Sequence, residues 1–298
     1  MKNSLLLLAL SVLSAAVITA QEQRPSQASD ARSRYVYVSV VDAKGAPATG
    51  LTASDFTVRE DGQTREVLRA SVATEPLDII LLVDDSQAAT PAIPYLRDAL
   101  PKFIDKLQGN GSIGLVTFGE RPTSVVERTS DAAALKKGVN RIFARPGSGA
   151  YFLEAVRDVS RGFQKRETTR PHIVAIAMEG IEFSNLQYEQ VLDSLHESGA
   201  TLHVLAVGSP SGPMTDEIRN KNVVVDRGTT ETGGRRDQLL SELAIGDALN
   251  KVADELLNQY VVTYGRPDKL IPPEKLEITV NRPGLTARAR TRLPDETR

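Results

Sequence analysis

The chain has 298 residues, with 36 lysines and arginines against 38 aspartates and glutamates, and no cysteine. A formal net charge of −2 with both signs interspersed argues against a nucleic-acid partner. The absence of cysteine excludes a disulfide framework, a thiolate metal site and an acylated cysteine anchor.

In chain order, Lys2 precedes an apolar stretch over residues 5–10, and small residues follow at Ala15, Ala16 and Ala20. This is the pattern of a secretory signal peptide over residues 1–20, cut after Ala20 or Ala16. Its apolar part is too short, and too rich in serine and alanine, for a membrane span. The expected destination is the periplasm or the extracellular space. Residues 21–34 are polar and read as a flexible leader. The remainder, about 260 residues, suffices for one large α/β domain and a small β module.

A first β segment is predicted over residues 35–72. It opens with a strand rich in tyrosine and valine and contains a hairpin about Asp61-Gly62, a dipeptide that tight turns prefer. From Leu77 the rhythm changes to strand, helix, strand. Residues 79–83 are continuously apolar and run into Asp84, Asp85 and Ser86. Such a run is expected of a strand buried on both faces in a parallel sheet, where ligand groups gather at the strand C-termini. Helices are predicted at 93–107, from a Ser130 cap onward, at 152–163 and at 188–198. Further strands are predicted at 112–118, 123–128 (an edge strand), 173–177 and 201–207. Residues 223–225 read as a short strand, 228–236 as a flexible surface loop and 237–258 as the longest helix. The implied fold class is α/β, with a doubly wound, mostly parallel sheet over residues 76–258. Strands at 259–264, 276–280 and 285–292 are expected to join residues 35–72 in one β module.

An enzyme reading finds little support. His172, His196 and His203 are scattered, none with zinc spacing, and Ser86 lacks the Gly-x-Ser-x-Gly elbow of a nucleophile. Tyr35, Tyr37, Tyr260 and Tyr264 alternate along strands, as packing residues do.

Seven ordered stretches together resemble secreted bacterial proteins with a von Willebrand factor A (VWA) domain. They are residues 50–62, Asp84-x-Ser86, 148–155, 178–180, 231–234, 259–264 and 276–284. The resemblance implies a metal-ion-dependent adhesion site on three loops, with the family patterns Asp-x-Ser-x-Ser, Gly-Gly-Thr and Thr-Asp-Gly. Asp84 and Ser86 match the first pattern, but Ala88 replaces its second serine. Ala150 stands at the threonine of the second. Met178 and Glu179 replace the Thr-Asp of the third. Magnesium needs near-octahedral oxygen ligands, so a site reduced to Asp84, Ser86 and Glu179 reads as degenerate. A structural role for Asp84, accepting backbone N–H bonds at a helix start, is expected instead. No cofactor is expected, with at most weak Mg or Ca binding. The expected partner is a protein, met by Asp85, Gln87, Ser148, Tyr151, Glu182 and Asn185 on the same loops. The function implied is an exported, non-enzymatic interaction module. One alternative is a Mg- or Ca-dependent module that captures a partner carboxylate. Another is a hydrolase using Asp84, Asp85 and Glu179.

Overall fold

The computed structural model describes residues 31–166, 168–209, 212–267 and 273–292. The expected signal peptide, and residues 21–30 of the expected leader, lie outside these. Strand β1 (Ala31–Asp42) is followed by β2 (Phe56–Glu60), β3 (Gln63–Arg65) and β4 (Val67–Val72). Residues 31–34, expected in the leader, are part of β1, whose backbone ladder pairs Ala31 to Arg34 with Pro267 to Tyr264.

The next strand, β5 (Leu77–Val83), is the centre of the larger sheet. Helix α1 (Ile93–Leu107), strands β6 (Gly111–Thr117) and β7 (Thr123–Thr129), and helices α2 (Ala132–Val139) and α3 (Phe152–Gln164) follow. Then come β8 (Arg170–Met178), α4 (Tyr188–Ser198), β9 (Thr201–Val207), α5 (Asp216–Thr232), β10 (Arg236–Leu239) and α6 (Ile245–Leu257). The six strands run in the order β10-β9-β8-β5-β6-β7, all parallel except β7, which pairs antiparallel with β6 at the edge. This is the expected doubly wound α/β sheet.

Alternate side chains of β5 point to opposite faces, and each face has its own core. Leu77, Ile79, Leu81 and Val83 pack with α1, α2 and α6, whereas Ile80 and Leu82 pack with α3, α4 and α5. Burying each such leucine or isoleucine contributes roughly 2 kcal/mol. With no polar face to present to water, β5 reads as an almost unbroken apolar run.

Four expectations fail between residues 130 and 258. Asp131, not Ser130, caps α2: its carboxylate accepts the N–H groups of Ala133 at 2.8 Å and Ala134 at 3.1 Å. Residues 223–225 lie within α5, not in a strand. The Thr215 hydroxyl accepts the Ile218 N–H at 3.3 Å, Asp216 and Glu217 fill the first turn, and Gly233 closes the helix with φ 76°. These terminal signals, with burial of Val224 and Val225, outweigh the β-preference of three valines. The expected loop at 228–236 is therefore the end of α5, its cap and the start of β10. Nor is 237–258 one helix, because residues 236–239 pair in parallel with 204–207 of β9. The turn between them needs glycine: a Cβ on Gly234 would stand 1.8 Å from the Leu202 carbonyl oxygen.

After α6 the chain returns as β11 (Tyr260–Pro267), β12 (Leu276–Val280) and β13 (Leu285–Ala289). One flanking sheet has the order β13-β1-β11-β4 and the other β12-β2-β3. Val36, Val38, Phe56, Val58, Tyr260, Val262 and Tyr264 form the core between them. Tyr264 donates its hydroxyl to Glu60 at 3.0 Å, and Tyr260 donates to the Ala48 carbonyl at 3.1 Å. These two tyrosines are packed as expected, while Tyr35 is exposed.

Candidate functional site

Three loops meet where β5 and β8 end. The first leaves β5 at Asp84, the second enters α3 through residues 144–151, and the third leaves β8 at Glu179. Asp84 is fully buried. Its Oδ1 accepts the Ser86 N–H at 2.8 Å and its Oδ2 the Met178 N–H at 3.0 Å. The Ser86 bond stands at the head of a short 3-10 turn (Gln87–Ala89), and the Met178 bond ties the first loop to the end of β8. Burial raises the Asp84 carboxyl above the ordinary carboxylate range, against the pull of those bonds and of the Lys221 charge.

Asp85 closes the first loop onto the second. Its side chain accepts the Gly119 N–H at 2.6 Å and the Arg145 Nε–H at 2.8 Å, while its carbonyl accepts the Arg145 N–H at 2.9 Å. Gln87 Oε1 accepts the Gly147 N–H at 2.8 Å, and the Ser148 hydroxyl donates to the Arg145 carbonyl at 2.8 Å. Glu182 of the third loop reaches the start of α3. There its Oε1 accepts the Phe152 N–H at 2.9 Å and the Ser184 hydroxyl, while the Ser184 Oγ accepts the Leu153 N–H at 3.0 Å. A carboxylate and a hydroxyl from another loop thus serve the open N–H groups of α3, a placement the helix dipole favours. Burial pushes the Glu182 carboxyl up to about 7 despite the opposing charge of Lys221, and Asp84 adds to the rise.

The six residues expected on a partner face therefore divide. Gln87 and Asn185 are exposed, and Ser148 and Tyr151 are half-buried. Asp85 and Glu182 are buried, 3% and 4% exposed, with their carboxylates turned to partners within the fold. Acidic residues read as solvent-facing loop groups are in fact the ties between loops. What the sequence reading missed on this edge is apolar: Ile181 and Phe183, 64% and 46% exposed, flank Glu182 on the third loop. Phe183 meets Tyr151 edge-on with ring centroids 6.1 Å apart. A groove of about 620 Å³ beside them is lined by Ile181, Phe183, Asn185, Thr215 and Ile218.

The donor set does not match an octahedral oxygen site. Ala88, Ala150 and Met178 offer no side-chain oxygen, which leaves Asp84, Ser86 and Glu179 of the pattern. Glu179 is half-exposed with its stem against Gly208. Among the described residues no group of three or more His, Cys, Asp or Glu is arranged to hold a metal ion. His196 pairs with Glu231 at 2.9 Å on the helical layer, and His172 and His203 lie deep in the sheet, so the histidines do not reach this edge.

The von Willebrand factor type A domain profile matches residues 79–180, a span that begins in β5, crosses all three loops and ends at Gly180. The chain carries a VWA domain. Among solved structures, a von Willebrand factor type A protein from Catenulispora acidiphila is similar with a TM-score of 0.52 at 12% identity. That match covers 92% of this chain and 76% of the other, so the likeness in fold extends to the flanking strands. The BatB protein of Bacteroides thetaiotaomicron is similar with a TM-score of 0.47 at 16% identity, over 60% of this chain and 98% of the other. No curated protein sequence matches the chain. The VWA domain is a general protein-interaction fold, and among the described residues no helix is long and apolar enough to cross a membrane.

Proposed function

We propose that this chain is an exported, non-enzymatic protein-interaction module whose VWA domain meets its partner without a metal ion. The observation that carries this reading is the character of the three-loop edge. Asp84, Asp85 and Glu182 are turned inward, and the exposed side chains of the edge include Ile181 and Phe183 beside a groove. Exposed apolar side chains at a rim of polar residues suit a protein surface better than a charged small ligand. An adhesion site of this type offers a cation to a partner's carboxylate, and three of its side-chain oxygens are replaced here, by Ala88, Ala150 and Met178. Export rests on the signal-like residues 1–20.

The test is capture of partners from the exported fraction with the mature protein, with and without chelator. Capture is expected to survive chelator and to be lost in Ile181→Asp/Phe183→Asp. Capture that needs a divalent ion and disappears in Asp84→Ala would establish the adhesion mechanism instead. Hydrolysis of peptide or glycan panels that depends on Glu179 would overturn the non-enzymatic reading.

A further inference from the structure

Lys221 has no counterpart in the loop patterns that the sequence displays, yet it is only 5% exposed. It sits on α5 in the same helical stripe as Val224, Val225, Gly228, Thr229 and Thr232, the residues that α5 buries. Lysine is almost never fully buried unless its ammonium finds compensation. Here Nζ donates to the Met178 carbonyl at 3.3 Å, while the N–H of that same Met178 holds Asp84 Oδ2 at 3.0 Å. The ammonium thus stands at the end of β8, on the residue that joins the first and third loops.

The buried groups around it are acidic. Asp84 and Glu182 are 0% and 4% exposed, and the positive charge of Lys221 favours the ionised form of both. Glu182 Oε2 is buried with no hydrogen-bond partner, so one carboxylate oxygen of the cluster has only electrostatic compensation. The first and third loops also close tightly on each other: a Cβ on Gly180 would come within 2.7 Å of the Ala88 methyl. The cluster therefore has two inward carboxylates, small apolar walls and a cation already in place. A carboxylate pair taken out of water is costly unless an opposite charge shares its surroundings, and a single ammonium can serve both.

We propose that the Lys221 ammonium is the resident cation of this site. It supplies from within the chain the positive charge that a divalent ion would otherwise bring, and so makes the three-loop edge independent of metal. This rests on the reading of the metal position as vestigial and deepens it, because it names what took the metal's electrostatic role. It does not depend on which partner the loops meet.

Two measurements on the full mature protein test it. Isothermal titration of the wild type with Mg²⁺, Ca²⁺ and Mn²⁺ is expected to give no binding heat at millimolar ion, and melting temperature is expected to stay unchanged. Lys221→Met keeps most of the length of the side chain and removes its charge, and is expected to lower the melting temperature. Asp84→Asn in the same background is expected to recover part of that loss, so that the double variant melts well above the sum of the two single effects. If Lys221→Met fails to fold, a double variant that does fold demonstrates the same coupling. Micromolar Mn²⁺ binding by the wild type that Asp84→Asn removes would overturn the vestigial-site reading and this inference with it. Strictly additive effects, a double variant that stays unfolded, or a Lys221→Met that melts like the wild type, would overturn this inference alone.

Discussion

At the starts of β8 and β9 the protein buries charge against the β module, and at the end of β8 it buries charge among loops. At the first place the buried carboxylate is met by arginine side chains. Glu255 of α6, 1% exposed, pairs with Arg288 of β13 and lies 3.8 Å from Arg235. Arg170 donates to the Glu75 and Leu256 carbonyls, each at 2.8 Å, and to Gln259 Oε1 at 2.9 Å, while Gln259 Nε2 donates to the Ser39 hydroxyl at 3.1 Å. At the loop edge most of the hydrogen bonds to buried carboxylates come from backbone N–H groups. The difference is one of tolerance. A seam of paired side chains fixes two elements by their residue types. A carboxylate cradled by backbone N–H leaves neighbouring loop side chains free to vary, which suits a surface that selects partners.

Breaking the seam should have the largest effect. Glu255→Ala leaves Arg288 without its buried partner and is expected to cost about 3 kcal/mol, read from urea unfolding midpoints. Acid should attack the same region next. The Arg235 N–H donates to His203 Nδ1 at 3.3 Å, so the neutral ring carries its proton on Nε2 and donates it to His172 Nδ1 at 3.3 Å. Protonating either ring would set two N–H groups against each other. Burial lowers His203 to about 4, and both burial and the neighbouring ring hold His172 well below its usual range. A histidine whose folded pKa is depressed gives stability that is intact above the unfolded value and is lost as pH falls toward the folded one. Stability is therefore expected to drop by about 2 kcal/mol from His203 alone between pH 7 and pH 5, and His203→Gln should flatten that slope.

The loop edge should respond less. Asp85→Ala removes the acceptor of the Gly119 N–H, but Arg145 is half-exposed and can return to water, so about 1.5 kcal/mol is expected. Ile181→Ser and Phe183→Ser should change stability by less than about 0.5 kcal/mol, because both side chains already face solvent. They should nevertheless abolish partner capture. A stability loss at these two positions as large as that of Glu255→Ala would erase the contrast between the two regions.

The strongly periodic elements were legible in the sequence. Helix α1 and strand β9 fall at the expected residues, because their apolar spacing and terminal signals agree. The family pattern also led to Asp84 and to the three loops. The pattern failed where local preference and tertiary setting disagree. Three consecutive valines at 223–225 speak for a strand, and only the capped helix around them shows that Lys221 shares their buried stripe. Glu182 carries a loop residue's signature but spends its carboxylate on the first turn of a distant helix. No spacing rule reports such a contact, since its partner is 30 residues away in the chain.

Strand β1 lies between β11 and β13, and the Tyr264 hydroxyl bonds to Glu60 across 204 residues. A chain emerging from a ribosome must therefore make β1 long before either of its neighbours exists. The α/β sheet, whose pairings fall within residues 77–239, can close while β1 still has both edges open. Pairing over such distances is slow and leaves an aggregation-prone edge exposed in the meantime. The protein thus completes itself from the inside outward, and any stop in synthesis before β11 leaves a finished interaction edge attached to an unfinished base.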